Sequence, residues 1–125
     1  MTSQPTQSPY FVLERHGRVA VLTPTPQVET LSEDEMQQAS RKITAQLRAD
    51  PPAGLLIDLS PIRYFGSVFL SFLFLCYIPL KKHGTAVALA GANDRARELL
   101  QLTGLEGLWP THATRDEGLK ALGAG

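Results

Sequence analysis

The sequence predicts an α/β domain in which a small mixed, mostly parallel β-sheet is packed with about four helices. Short apolar runs alternate with longer segments of helical periodicity, an order typical of βαβ crossovers and parallel sheets. The chain has 125 residues, 43% of them hydrophobic, which is enough for one hydrophobic core. We therefore expect a single domain over residues 10–125. Residues 1–9 are polar and contain two prolines, which predicts a disordered leader.

The first elements along the chain are two strands and a helix. Residues 10–14 and 18–23 are apolar and β-branched and flank His16-Gly17, which predicts a hairpin. The segment Ser32-Glu33-Asp34-Glu35 has the pattern of a capping box, with serine at the N-cap and glutamate three residues on. The helix that it starts has one apolar face and ends before Pro51. That face consists of Met36, Ala39, Ile43 and Leu47.

The middle of the chain predicts a buried strand followed by an apolar helix. Residues 55–59 are apolar except for Asp58, the pattern of a strand buried on both faces. A second apolar run predicts a helix over residues 67–82, ended by His83-Gly84. Cys76 falls inside this helix as an inert core thiol, and a lone cysteine cannot form an intramolecular disulfide, which fits a reducing, cytoplasmic compartment.

Helical periodicity divides this helix into two apolar stripes. The inner stripe, which is expected to pack on the sheet, consists of Leu70, Leu73, Phe74, Tyr77 and Leu80. The outer stripe, on the opposite side, consists of Val68, Phe72, Leu75 and Pro79. A helix that covers one face of a sheet needs only one stripe, so the second is either covered by neighbouring helices or exposed as a patch for a partner.

The last third of the chain predicts two strands and two helices. Residues 85–90 are small and aliphatic and form a further buried strand. Asn93 caps a helix that Gly104 ends, residues 108–110 form a short strand, and Thr114 opens a final helix with a second capping box.

Composition and motifs exclude several classes of function. Twelve basic and twelve acidic residues cancel, whereas nucleic-acid binders and membrane-surface anchors carry basic clusters. The uncharged run over residues 64–80 is shorter than the roughly 20 apolar residues of a membrane span. The three histidines lie apart, each beside a turn, and no glycine-rich phosphate loop occurs. We therefore predict no catalytic residue, no metal site and no cofactor.

Two segments carry a resemblance to a known family. The segment LLIDLSPIRYFGSVFLSFLF, residues 55–74, resembles the strand–loop–helix of STAS domains, the anti-sigma factor antagonist family, in which a D-L-S triplet is followed by a D-S-S-G-L turn. The segment RARELLQLTGLEGLWP, residues 95–110, resembles that family's arginine-containing helix and L-x-L-T-G-L turn. The resemblance extends over about residues 10–122 and implies a STAS-like fold.

The resemblance implies a non-enzymatic, cytoplasmic bacterial module that binds an anti-sigma factor, often itself a serine kinase. Phosphorylation at the start of the helix after the third strand of the family fold would switch this binding off. Ser67 matches the first serine of the D-S-S-G turn, while Gly66, Val68 and Phe69 replace its aspartate, second serine and glycine. A serine at a helix N-terminus is also a common N-cap, so capping and phosphorylation remain alternatives for Ser67.

The main functional hypothesis is therefore partner switching through the turn at residues 64–71 and the outer stripe of the helix. The predicted partner-binding residues are Tyr64, Phe65, Gly66, Ser67, Val68, Ser71, Phe72 and Leu75. One alternative is a constitutive scaffold in which the outer stripe pairs two copies as a homodimer. The other is a small-ligand sensor.

Overall fold

A computed structural model describes residues 6–123, and side chains from residue 8. Its strands are β1 Thr6–Gln7, β2 Phe11–His16, β3 Val19–Pro24, β4 Gly54–Asp58, β5 Ala86–Ala90 and β6 Thr111–His112. Its helices are α1 Glu33–Ala49, α2 Ser67–Lys81, α3 Asp94–Thr103, α4 Leu105–Leu108 and α5 Arg115–Ala121. A 3-10 turn at Pro26–Thr30 precedes α1.

The strands form one six-stranded sheet in the order in which they occur along the chain. The first three strands are antiparallel neighbours, and β3 to β6 are parallel. Each parallel pair is joined by a helical crossover, because a tight turn cannot connect two parallel strands. The predicted mixed, mostly parallel sheet is confirmed, and α4 is a one-turn helix beyond the four that were expected.

The two faces of the sheet carry cores of different size. On one face, residues of α1, α2 and α3 pack with alternate strand residues into the main core. On the other face, α5 covers a small cluster through half-buried Leu119 and Leu122. Strand β4 contributes to both cores and is fully buried, as the apolar run over residues 55–57 predicted.

Helix α1 follows the sequence prediction closely. The Ser32 hydroxyl accepts a hydrogen bond from the Glu35 amide at 3.2 Å, and the Glu35 carboxylate accepts one from the Ser32 amide at 3.1 Å. This reciprocal capping box satisfies two backbone donors that a helix start would otherwise leave free. The predicted apolar face is buried.

Two boundaries differ from the prediction. Part of the expected disordered leader, Thr6–Gln7, pairs antiparallel with β2, because the β2 edge offers free backbone groups; residues 1–5 lie outside the described part of the chain. The strand expected at residues 108–110 lies at Thr111–His112 instead. Gly104, with φ 79°, ends α3 in the left-handed conformation and lets α4 begin at once, which moves the strand along the chain.

Helix α2 presents a different face to the core than the predicted inner stripe. Of that stripe, Leu73 and Leu80 are buried as expected, but Leu70, Phe74 and Tyr77 are only half-buried. The buried face consists of Phe69, Phe72, Leu73, Cys76 and Leu80. The helix is apolar almost all round, so hydrophobic periodicity alone could not determine which side faces the sheet.

Candidate functional site

The loop between β4 and α2 is anchored to the main core by three apolar side chains. Leu59, Ile62 and Phe65 are each at most 4% exposed, whereas Ser60, Arg63 and Tyr64 between them are exposed. The Leu59 amide donates to the Ala90 carbonyl at 2.8 Å, which ties the loop to the end of β5. The chain therefore enters α2 from a fixed position.

The same loop also forms hydrogen bonds and a cation–π contact with residues that lie far away in the sequence. The Arg63 amide donates to the Glu29 carboxylate at 3.3 Å, and the Asn93 side-chain amide donates to the Arg63 carbonyl at 3.1 Å. The Arg95 guanidinium lies 5.4 Å from the centre of the Tyr64 ring, within the range of a cation–π contact. Sequence reasoning identified Asn93 as a helix cap, which it is, but gave no signal for its second contact or for those of Glu29 and Arg95.

Helix α2 begins without a side-chain cap. The N-cap residue is Gly66, and the first helical hydrogen bond runs from the Leu70 amide to the Gly66 carbonyl at 3.1 Å. The interpretation of Ser67 as the N-cap is therefore wrong, because Ser67 is already the first helical residue. The first turn contains no acidic residue and no side chain caps it, so neither the first backbone amides nor the positive end of the helix dipole is compensated by a charge on α2.

An exposed stripe runs down α2 from this helix start. Ser67 and Ser71 are exposed, Leu75 is 40% exposed, and Ile78 is 57% exposed. Their spacing of four, four and three residues places all four on one side of the helix. Sequence reasoning found Ser67, Ser71 and Leu75 but missed Ile78, although its position seven residues after Ser71 was the available signal.

The family comparison rests on nearly the whole chain. A model of the STAS domain family matches residues 10–118. The chain is a member of the STAS domain family. No curated protein matches it.

Three solved structures illustrate what this STAS domain is similar to. An anti-sigma factor antagonist from Mycobacterium paratuberculosis is 31% identical, covering 90% of this chain and 92% of its own, with a TM-score of 0.68. A STAS domain protein from Planctomyces limnophilus is 27% identical over 90% and 97% of the two chains, with a TM-score of 0.74. The phosphorylated form of the Bacillus cell fate determinant SpoIIAA is 18% identical over 90% and 98%, and its TM-score of 0.69 shows the same fold.

The structure removes two residues from the predicted partner-binding set of this STAS domain. Phe65 is 4% exposed and packs against Phe69, with ring centroids 5.6 Å apart. Phe72 is 1% exposed and lies between Phe69 and Phe11, with centroid distances of 5.9 and 6.5 Å. Both rings belong to the core because they lie on the sheet side of the loop and helix.

The remaining predicted residues keep solvent exposure in the loop before α2 or along the helix. Tyr64 is 42% exposed, Gly66, Ser67, Ser71 and Leu75 are exposed, and Val68 is half-buried. We call these six residues the α2-start surface. It combines two hydroxyl groups on α2 with a tyrosine ring and two aliphatic side chains, so it can form hydrogen bonds and bury apolar area together.

The aspartate of the D-L-S triplet has a structural function in this STAS domain. Asp58 is 5% exposed, and its Oδ1 accepts a hydrogen bond from the Ser60 amide at 3.0 Å. That bond turns the chain from β4 into the loop that leads to the α2-start surface. Within residues 6–123, no group of three or more His, Cys, Asp or Glu side chains is arranged to bind a metal ion. No helix in the same range is both long and apolar enough to cross a membrane.

Proposed function

We propose that this STAS domain binds an anti-sigma factor that is also a serine kinase, in a bacterial partner-switching pathway. The α2-start surface is the docking site, and phosphorylation of Ser67 releases the partner. The observation that carries the proposal is the exposed Ser67 in the first turn of α2. By its resemblance to the D-S-S-G turn, Ser67 matches the first serine, and Val68 replaces the second.

The physical chemistry of the helix start favours a phosphate at Ser67. A phosphoserine adds about −1.5 to −2 charges, and the free first-turn amides and the helix dipole both stabilise negative charge there. Gly66 provides no competing cap and no acidic side chain precedes the phosphate on the helix. The modified helix start is therefore expected to remain folded.

The same phosphate would oppose docking. On α2, Val68 lies directly after Ser67, and Leu75 follows two turns below on the exposed stripe. A partner that buries these aliphatic side chains would have to desolvate the phosphate as well, which costs several kcal/mol unless a cation compensates it. Since the loop is anchored by Leu59, Ile62 and Phe65, the switch acts through surface charge and leaves the backbone in place.

The test uses the candidate anti-sigma factor kinases of the source bacterium, each incubated with this protein and ATP. Tandem mass spectrometry of the tryptic peptide between Arg63 and Lys81 distinguishes Ser67 from Ser71, the two serines of α2. We expect phosphate on Ser67 in the wild type and in Ser71→Ala, and none in Ser67→Ala. Calorimetry with ADP should show that Ser67→Ala binds the kinase and that Ser67→Asp does not.

Two results would overturn the proposal in different ways. If phosphate appears in Ser67→Ala but not in Ser71→Ala, the modified residue is one turn further along α2. If no kinase of the source bacterium binds the wild type, the function as an anti-sigma factor antagonist is wrong.

A further inference from the structure

A groove between α1 and α2 faces solvent on the helical side of the domain. Its volume is about 500 Å³. Leu75, Ile78 and Pro79 line one wall, and Arg41 and Arg48 lie on the other. No acidic side chain lines the groove, and within the described part of the chain neither arginine forms an ion pair. The groove therefore offers apolar area beside two uncompensated positive charges.

A ridge on α3 has the opposite character. Leu102 is 77% exposed, more than any other large hydrophobic side chain among residues 8–123. Glu98 lies one turn before it on the same side of the helix, Asp94 lies a further turn back, and half-buried Leu99 lies beside them. Neither acidic residue forms an ion pair with a residue that the structure describes. The ridge thus presents an exposed leucine beside two carboxylates. The Arg95 guanidinium lies on the same part of the helix and contacts the Tyr64 ring.

We propose that the α3 ridge of one copy of this chain docks in the α1–α2 groove of a second copy. Leu102 contacts Leu75 and Ile78, and Glu98 faces the arginines of the groove. An amphipathic helix that lays its apolar side in a groove is a recurrent mode of protein recognition. In this contact Leu102 finds apolar side chains, and Glu98 finds two arginines that form no ion pair with a described residue, which selects the second copy as occupant.

The contact joins two different patches, so it is heterologous. Each copy in a pair keeps one free groove or ridge, and association continues beyond the dimer unless the assembly closes into a ring. A single helix in a groove buries less than the roughly 1,200 Å² of a standard interface, so the association is weak and strengthens with concentration. Its exposed charge pairs make it weaken as salt rises.

Self-assembly also has a consequence for partner binding. Leu75 belongs both to the groove and to the α2-start surface. A copy whose groove is filled cannot present Leu75 to a partner, so assembly and partner binding compete. This consequence alone rests on the proposed function, whereas the self-association does not depend on any partner or on Ser67.

A pair of charge reversals tests the contact. Variant one carries Arg41→Glu and Arg48→Glu in the groove, and variant two carries Glu98→Arg on the ridge. Alone, each variant places a like charge at residue 98 opposite residues 41 and 48, and its association constant should fall about tenfold or more below that of the wild type. Mixed in equal amounts, the two variants can pair so that residue 98 again faces residues 41 and 48 of opposite charge, and sedimentation velocity should again show concentration-dependent assembly.

The interpretation of the sedimentation data needs two controls. Circular dichroism and thermal unfolding should show that both variants are folded, as expected for exposed positions. Leu102→Ser should weaken assembly without changing charge. A wild type that stays monomeric at all attainable concentrations overturns the proposal, as does assembly that neither reversal weakens or that the mixture does not restore.

Discussion

The guanidinium of Arg115 and the carboxylate of Asp58 face each other on the side of the sheet that α5 covers, with Nη1 and Oδ2 3.8 Å apart. The Asp58 side chain is 7% exposed and that of Arg115 is 33% exposed. Arg115 also forms an ion pair with Glu14 of β2. One arginine of α5 thus links β2 to β4, the strand that leads into the α2-start surface.

Arg115→Ala should lower the free energy of unfolding by about 1–3 kcal/mol, because it leaves the buried Asp58 carboxylate without its cation. The partial exposure of Arg115 keeps the loss below that of a fully buried pair. Urea denaturation measures the change. Lys120→Ala on the same helix is the control, since Lys120 is exposed and should change stability by less than about 0.5 kcal/mol. Equal effects of the two substitutions would show that the ion pair contributes nothing.

Gly91 is required by two features of the turn after β5. Its φ of 73° lies in the left-handed region, and a Cβ there would lie 2.9 Å from Ser60 Cβ and 3.0 Å from Asp58 Oδ1. Gly91→Ala should therefore be less stable than wild type by about 2–4 kcal/mol, which combines backbone strain with overpacking.

Gly84→Ala separates these two contributions. Gly84 has a similar φ of 70°, but a Cβ there meets nothing within 4 Å. Only the strain of about 1–2 kcal/mol should appear in thermal unfolding of this variant. If Gly91→Ala and Gly84→Ala are equally destabilised, the close contact of Gly91 with the loop after Asp58 is relieved at no cost.

Phe72 and Leu75 lie three residues apart on α2, but truncating them should lower stability by very different amounts. Phe72→Ala removes a ring that is 1% exposed and should cost about 3–5 kcal/mol of stability. Leu75→Ala truncates a side chain that is 40% exposed and should cost less than about 1 kcal/mol. Chemical denaturation measures both values. A Phe72→Ala variant as stable as Leu75→Ala would restore Phe72 to the outer surface that the sequence pattern first indicated.

The contrast between these residues shows how far sequence reasoning reaches. Helix α1 was predicted with its cap and its buried face, because polar and charged residues occupy the rest of its surface. Helix α2 lacks that contrast, so its limits were predicted within a residue while the side that faces the sheet was not. Local chemistry specifies an element, but the rotation of an element that is apolar all round is determined by packing.

The candidate site shows the same division. Ser67 and its neighbours were found because they are contiguous in the motif that resembles STAS domains. Glu29 and Arg95 were not found, because their contacts with the loop join residues about thirty positions apart. No local pattern encodes such contacts, which arise only when the sheet brings the 3-10 turn and α3 to the same end of the domain.

Cys76 provides a prediction about alkaline pH. Burial in the core raises the pKa of its thiol to about 12. In the unfolded chain the thiol ionises near its ordinary pKa of about 8.5, so above that pH the unfolded state has lost a proton that the folded state retains. The free energy of unfolding should therefore fall as pH rises from about 8.5 towards 12, by at most about 1.4 kcal/mol per pH unit from this group.

Cys76→Ala isolates this effect, because other groups titrate equally in both proteins. At neutral pH the variant should be less stable than wild type, since alanine leaves part of a packed site empty. The difference should narrow, and then reverse, as urea denaturation is repeated at rising pH. Curves that stay parallel to about pH 10 would mean that the folded thiol ionises at its ordinary pKa, which requires solvent to reach the core between α2 and the sheet.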